Sequence, residues 1–325
     1  MLLSVLTEDC ISHILSLCDS ASLIVLLHVP ELIPARLLEH INTERVDVLL
    51  YASTHGYLEL FKWTTTNLPQ FEWSPYTCSA SAEGGHLDIL KYSHSLGYMM
   101  NTSVCNYAAS NGHLHVLKWA RKVAACGWNN YTCIAAASGG HLEALKWLRR
   151  QQPPCPWDSD VCAFAARRGH LEVIKWARWN GCVWNAVTCT YAAEGGHLEV
   201  LKWAREVAVP ACEWNSMACS SAARGGHLEV LKWLRLGTSI ACEWDKYTCQ
   251  AAAEGGHLNV LKWLRQQQPP CEWDSDVCTC AARKGHLNVL KWLRENGCEW
   301  NTGDCRAGAL KWGHADVVGW IDDRY

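Results

Sequence analysis

One phrase recurs through most of this 325-residue chain: Gly-His-Leu-Glu-Val-Leu-Lys-Trp-Leu, then Cys-x-Trp-Asn, then Thr-Cys-x-x-Ala. The glycine of the Gly-His step occurs ten times at intervals of 27 to 30 residues, with Tyr57 replacing the first histidine. A period of this size is typical of stacked supersecondary units, none of which can bury its apolar face alone. The sequence therefore predicts one continuous array of about ten short repeats rather than two or three separate globular domains.

The spacing inside each repeat predicts two short antiparallel helices. The histidine typically follows the repeat cysteine by eight positions, as from Cys133 to His141, whereas the distance between the two tryptophans varies from 8 residues after Trp176 to 11 after Trp203. Fixed spacing indicates packed helices, and variable spacing indicates one solvent-facing loop per repeat. An Asn or Asp after the second tryptophan is the expected N-cap of the first helix. These residues are Asn129, Asp158, Asn185, Asn215, Asp245, Asp274 and Asn301.

Composition narrows the functional classes. A formal charge of −3 provides no general attraction for nucleic acids or anionic membranes. The first residues lack a basic secretory start, and the longest apolar run, residues 21–29, is too short to span a bilayer. We therefore expect a cytoplasmic protein with reduced thiols and no membrane partner, despite its 19 cysteines.

The repeated cysteines, histidines and tryptophans each allow a chemical and a structural interpretation. Seven Cys-x6-Cys pairs, each followed by a histidine, invite a zinc site, but each layer offers at most three ligands, so packing is favoured. The histidines could act as a pH switch, although fixing the turn between helices is the preferred role. The tryptophans of the second helices are expected to form a core between repeats. A stacking platform for nucleic acid would need a basic groove beside them, so we expect no nucleic-acid partner.

The segment from Tyr131 to Glu143, Tyr-Thr-Cys-Ile-Ala-Ala-Ala-Ser-Gly-Gly-His-Leu-Glu, resembles the helix pair of the ankyrin repeat. Thr132 and Cys133 stand at that motif's Pro and Leu positions. Ankyrin repeats average 33 residues, so the shorter period implies truncated fingers, and the predicted fold is an all-α, ankyrin-like helix-pair solenoid. The Cys- and Trp-rich variant resembles ankyrin proteins carried by giant DNA viruses of amoebae.

This resemblance implies a concave binding surface built from positions that vary while the frame stays constant. One predicted set follows the N-cap: Tyr76, Tyr131, Asp160, Val187, Met217, Tyr247 and Asp276. The other precedes the turn between helices: Glu83, Arg167, Glu194, Arg224, Glu254 and Arg283. Mixed aromatic, methionine, acidic and arginine side chains suit a protein partner, and neutral drift on a solvated surface is the alternative.

Residues 1–45 lack the repeat and resemble an F-box, whereas 46–325 form the array. In that family the segment binds a Skp1-type adaptor of a cullin–RING ubiquitin ligase. The matching apolar residues are Leu6, Ile11, Ile14, Leu15 and Leu23. The alternative is an N-terminal cap over the first repeat.

No nucleophile with a base and no phosphate loop stands out, so we predict no catalysis and no cofactor. The hypotheses are a monomeric F-box-type substrate receptor, a pure interaction scaffold that could sequester a host protein, and a metal or redox protein.

Overall fold

A computed structural model describes residues 48–67, 74–237 and 241–324, and all regular structure in these ranges is helical. The chain divides into two compact units, Met1–Pro156 (unit 1) and Trp157–Tyr325 (unit 2). Ten helix pairs occur in the described residues, four in unit 1 and six in unit 2. Within each unit successive pairs stack as layers of a helix-pair solenoid, which confirms the predicted fold class.

The helices of unit 1 are α1 (Val48–His55), α2 (Leu58–Asn67), α3 (Pro75–Glu83), α4 (Leu87–Ser95), α5 (Thr102–Ser110), α6 (Leu114–Lys122), α7 (Asn130–Ser138) and α8 (Leu142–Arg149). Those of unit 2 are α9 (Ser159–Arg167), α10 (Leu171–Trp179), α11 (Ala186–Glu194), α12 (Leu198–Lys202), α13 (Ser216–Arg224), α14 (Leu228–Leu236), α15 (Lys246–Glu254), α16 (Leu258–Gln266), α17 (Ser275–Arg283), α18 (Leu287–Glu295), α19 (Thr302–Lys311) and α20 (Ala315–Asp322). A π-helical turn, Trp203–Val207, continues α12.

The predicted N-caps begin the first helix of each pair. In unit 2 the side-chain oxygens of Asp158, Asn215 and Asp274 accept the backbone N–H two residues later, at 3.0 to 3.1 Å. Asn129 in unit 1 uses a capping box, in which its own N–H donates to the Thr132 hydroxyl at 3.3 Å. Such caps satisfy backbone donors that have no partner inside the helix, so the prediction of these helix starts is confirmed.

The turn between the two helices of a pair is held by the next layer. Gly256 has φ of +77°, and the ring of His286 from the following pair lies over it. The same ring contacts the preceding layer, since His286 Nε2 lies 3.0 Å from the Glu254 carbonyl oxygen. The sequence predicts that the histidine fixes the turn between helices, and the structure adds that its ring joins neighbouring layers. We call this Gly–His contact with the helix-end carbonyl the clasp.

The clasp recurs in both units. His113 Nε2 lies 2.8 Å from the Glu83 carbonyl oxygen in unit 1, and His227 Nε2 lies 2.9 Å from that of Glu194 in unit 2. Burial lowers the pKa of His197 and of His257 from the ordinary value of 6.5. A lowered pKa favours the neutral ring near pH 7, which can donate one N–H to the carbonyl.

Small and aliphatic side chains form the core of each layer. Ala136, Ala137, Leu145 and Leu148 are fully buried in unit 1. Ala192, Ala193, Cys189 and Leu201 repeat this arrangement in unit 2. Alanines on the first helices let neighbouring layers approach closely, while leucines of the second helices fill the space within the pair.

Each loop cysteine connects two layers through its polar groups. The Cys242 N–H donates to the Leu234 carbonyl at 2.8 Å, and its thiol donates to the Asn215 carbonyl at 3.2 Å. Arg235 in turn donates to the Cys242 carbonyl oxygen. The thiol therefore connects the loop to the N-cap of the layer before it. No described residue of these loops is in a strand, as expected for repeats with truncated fingers.

Candidate protein-interaction surface

In seven of the first helices, the second residue presents its side chain to solvent. Its backbone N–H is held by the N-cap, as in Met217 with Asn215 and Tyr247 with Asp245, while the side chain points away from the packed layers. We call the predicted residues at this position the front row. Its members are Tyr76 and Tyr131 in unit 1, and Asp160, Val187, Met217, Tyr247 and Asp276 in unit 2, and all seven are exposed.

Within unit 2 the centre of the front row is apolar. Val187, Met217 and Tyr247 are 42%, 60% and 58% exposed, and they belong to the consecutive first helices α11, α13 and α15. Because these helices pack directly against one another, the three side chains repeat at one place in adjacent layers. We call these three residues the apolar stripe. Exposed apolar residues in register across layers suit an interface better than isolated ones do.

The predicted residues at the ends of the first helices are largely engaged within the protein. We call this set the exit row; it consists of Glu83 in unit 1 and Arg167, Glu194, Arg224, Glu254 and Arg283 in unit 2. Arg167 pairs with Glu194 at 2.7 Å, and Arg224 pairs with Glu254 at 3.3 Å. These ion pairs between neighbouring layers reduce the charge that the exit row can offer to a partner. Sequence reasoning placed the residues but did not anticipate the pairing.

An exposed aromatic outside the repeat pattern escaped the sequence prediction. Trp179 is 78% exposed, and the positions equivalent to it include Arg150, Glu206 and Glu295. Together with Trp203, Val207 and Val209 it lines an open cavity of about 260 Å³ in unit 2. The sequence offers a signal, because this tryptophan lies outside the two repeated tryptophan positions, as does Trp312 in the last repeat, which is 61% exposed.

The repeated tryptophans whose burial the structure describes are half-buried, so the expectation that they form a core between repeats is wrong. Loop tryptophans pack edge-on against the helical tryptophan of their own pair, as in Trp214 with Trp233 at 5.6 Å between ring centroids. The arginine of the preceding second helix lies over the loop ring, with Arg205 4.7 Å from the centre of Trp214. Alternating arginine and tryptophan therefore connect the layers at the loop side. A ring covered by arginine is a poor base-stacking platform.

The described cysteines lie within the packed layers. All described cysteines are free, and all but Cys280 are buried. A hydrogen bond with Cys242 and burial raise the pKa of the Cys219 thiol, and the same causes, with Cys271 as the partner, raise the pKa of Cys249. A raised pKa keeps the thiol protonated and unreactive. Across the three described ranges, no group of three or more His, Cys, Asp or Glu side chains could hold a metal ion.

None of the helices in the described parts of the chain combines the length and apolar character that a bilayer crossing requires.

Acidic residues of the second helices form ion pairs at the helix surface. Glu143 binds Lys146 at 2.7 Å and Glu229 binds Lys232 at 2.7 Å, one helical turn apart. These charged pairs lie on the solvated face of the second helices.

Comparison with known proteins identifies the repeat in unit 2. Residues 219–304 match the family described as ankyrin repeats (3 copies), and residues 189–235 match ankyrin repeats (many copies). Ankyrin repeats are thus detected over residues 189–304. They are protein–protein interaction modules, and nothing in the matched segment indicates catalysis. No curated protein matches the sequence.

The solved structures that are similar to this chain include two of a pentatricopeptide repeat protein, PPR10. Both are complexes with an 18-nt psaJ RNA element, and one of them carries cysteine-to-serine substitutions. Each is 11% identical, with a TM-score of 0.38 over 99% of this chain and 53% of that protein. The chain thus spans about half the length of these structures.

Proposed function

We propose that this chain is a non-enzymatic interaction protein that holds a target protein on the front row. The proposal rests on the contrast between constant and varying positions in the first helices. The cap and the clasp repeat from layer to layer, whereas the exposed residue after the cap changes from tyrosine to acid, valine or methionine. Packing explains the constant positions, and partner recognition explains an exposed aromatic and methionine set.

The finer proposal is an F-box-type substrate receptor that presents this target to a cullin–RING ubiquitin ligase. Its adaptor-binding residues, Leu6, Ile11, Ile14, Leu15 and Leu23, lie outside the described residues. The support is the resemblance of residues 1–45 to the F-box pattern, which the repeat does not share. Catalysis would then belong to the ligase complex, and no residue of the array would take part in it.

A pure interaction scaffold fits the array equally well. In that case residues 1–45 only cover the first repeat, and binding of a host protein is the whole function. Both versions place the protein in the cytoplasm as a monomer, and its resemblance to ankyrin proteins of giant viruses supports a host protein as the target. The array alone does not separate the two.

A pull-down from cells that produce the full chain, or the chain without residues 1–45, tests the two versions. The receptor version predicts Skp1 and cullin with the full chain only, and the target with both. If neither form recovers Skp1 or cullin while both recover the target, the scaffold version stands. If neither form recovers any target that depends on the front row, the interaction function itself is wrong.

A further inference from the structure

The apolar stripe of unit 2 is flanked by carboxylates in the same row. Asp160 precedes it on α9 and Asp276 follows it on α17, and both side chains are exposed. Among the described residues, neither carboxylate lies within ion-pair distance of a basic group. Lys246, the basic neighbour of Tyr247, is held by Asp274 at 3.0 Å. The row therefore reads acidic, apolar, apolar, apolar, acidic along five consecutive layers.

Helix energetics explain the acids but not the stripe. Acidic side chains in the first turn interact favourably with the helix dipole, so Asp160 and Asp276 have a structural reason to occur there. The helix dipole gives no such reason for Val187, Met217 and Tyr247, which are 42%, 60% and 58% exposed. A binding surface accounts for both, since an apolar centre with a charged rim is the common anatomy of an interface.

The spacing of the stripe indicates the conformation of its occupant. Packed helices lie about 8–10 Å apart, so the stripe offers one apolar side chain at each such step. Residues on one face of a polyproline II segment recur every third position, about 9 Å apart. Same-face residues of a β-strand recur at about 6.6 Å, which is too short. An amphipathic helix presents an apolar face at least about 100° wide, broader than a row one residue across.

We propose that unit 2 binds an extended segment of a partner protein, with apolar side chains at every third residue and basic residues at both ends. The apolar side chains lie against Val187, Met217 and Tyr247, and the basic ends pair with Asp160 and Asp276. This inference rests on the proposed interaction function and specifies the chemistry of the partner. Electrostatic complementarity at the ends sets direction and selectivity, while the apolar contacts supply most of the affinity.

Synthetic peptides test the proposal directly against the full chain. The first peptide has two lysines at each end and three leucines between them, one at every third residue. A second has glutamates instead of the lysines, and a third places the leucines at every second residue. Fluorescence anisotropy with labelled peptides at low and high salt measures each affinity. We expect the first peptide to bind at least about tenfold more tightly than either other peptide, with the advantage over the second falling at high salt.

Matched variants locate the binding surface. Met217→Ser is compared with Leu236→Ser, because both residues are exposed and belong to the same layer, on α13 and α14. Asp276→Asn is compared with Glu295→Gln in the layer of α17 and α18, where both carboxylates are also exposed. Met217→Ser should weaken the first peptide about tenfold and Asp276→Asn about threefold, whereas the two control variants leave its affinity unchanged. Circular dichroism verifies that each variant keeps its helix content.

The experiments separate a wrong partner chemistry from a wrong interaction function. Three results would overturn the proposed partner chemistry. The glutamate peptide could bind as tightly as the lysine peptide or more tightly, Met217→Ser could leave the affinity of the first peptide unchanged, or no peptide could bind. If Met217→Ser nevertheless abolishes capture of a target from cells, the interaction function stands and only the partner chemistry is wrong. If front-row variants affect neither the peptides nor the captured target, both proposals are wrong.

Discussion

The two ends of each first helix differ in what their residues do. At the C-terminal end, the glycine, the histidine of the next layer and the helix-end carbonyl form the clasp, and the same groups recur in layer after layer. At the N-terminal end only the cap is constant, and the front-row side chain beside it faces solvent. The repeated groups therefore hold the layers together, whereas the varying residue beside each cap remains exposed to a partner.

The largest expected effect comes from breaking the clasp at its glycine. In Gly256→Ala the new Cβ would lie 2.6 Å from His286 Nδ1, at a φ of +77°. We expect a loss of about 2–4 kcal/mol in the free energy of unfolding, measured by urea denaturation. Gly297→Ala is the matched control, since its φ is +78° but no atom lies within 4 Å. It should lose only about 1–2 kcal/mol, and equal losses would contradict a steric role for the histidine.

Removing the histidine tests the other half of the clasp. His286→Ala leaves the Glu254 carbonyl without the ring nitrogen that lies 3.0 Å from it. Because this carbonyl is at the end of its helix and part-buried, we expect a loss of about 1–3 kcal/mol in the urea denaturation experiment. A change below about 0.5 kcal/mol would show that the ring merely fills space over Gly256.

Acid should weaken the clasp by a smaller amount. Burial lowers the pKa of His197 and His257 below 6.5, so the unfolded chain takes up protons at a higher pH than the folded chain does. Their contribution is fully present above pH 6.5 and declines as the pH falls below that value. Urea midpoints measured from about pH 8 to pH 5 should therefore decrease at the acidic end. The double variant His197→Asn/His257→Asn should show a shallower decrease; an unchanged slope would assign the effect to other groups.

The smallest effect on stability is expected at the front row. Met217→Ala and Tyr247→Ala remove exposed side chains whose backbone groups remain capped, so the free energy of unfolding should change by about 0.5 kcal/mol or less. The same variants should weaken capture of the target in pull-downs. A loss of stability as large as that of His286→Ala would mean that the front row is part of the frame and not a free surface.

Much of the frame could be predicted from the sequence because local rules determine it. The Asn or Asp caps, the Gly-Gly ends of the first helices and the leucine stripe of the second helices follow from capping and periodicity. Contacts between layers were harder, since the partner of His286 is 32 residues away in sequence and no periodicity shows which carbonyl it meets. The prediction that the tryptophans form a core was wrong because hydrophobicity alone does not show where a side chain packs. An arginine and a neighbouring indole cover these rings at the loop edge of the layers.

The surface was predicted less completely than the frame. Front-row exposure followed from the register of the cap, but the ion pairs of the exit row depend on rotamers of side chains in two layers. Trp179 was missed because the prediction used positions that recur between repeats, and a tryptophan at this position does not recur.

Photo-crosslinking in cells tests the central claim, that the front row rather than the second helices holds the target. A photoreactive phenylalanine analogue is introduced at the position of Met217 or, separately, at that of Leu236 in the same layer. Irradiation followed by mass spectrometry should yield a discrete cross-linked protein from position 217 and none from position 236. Cross-links confined to position 236, or the same products from both positions, would contradict the account.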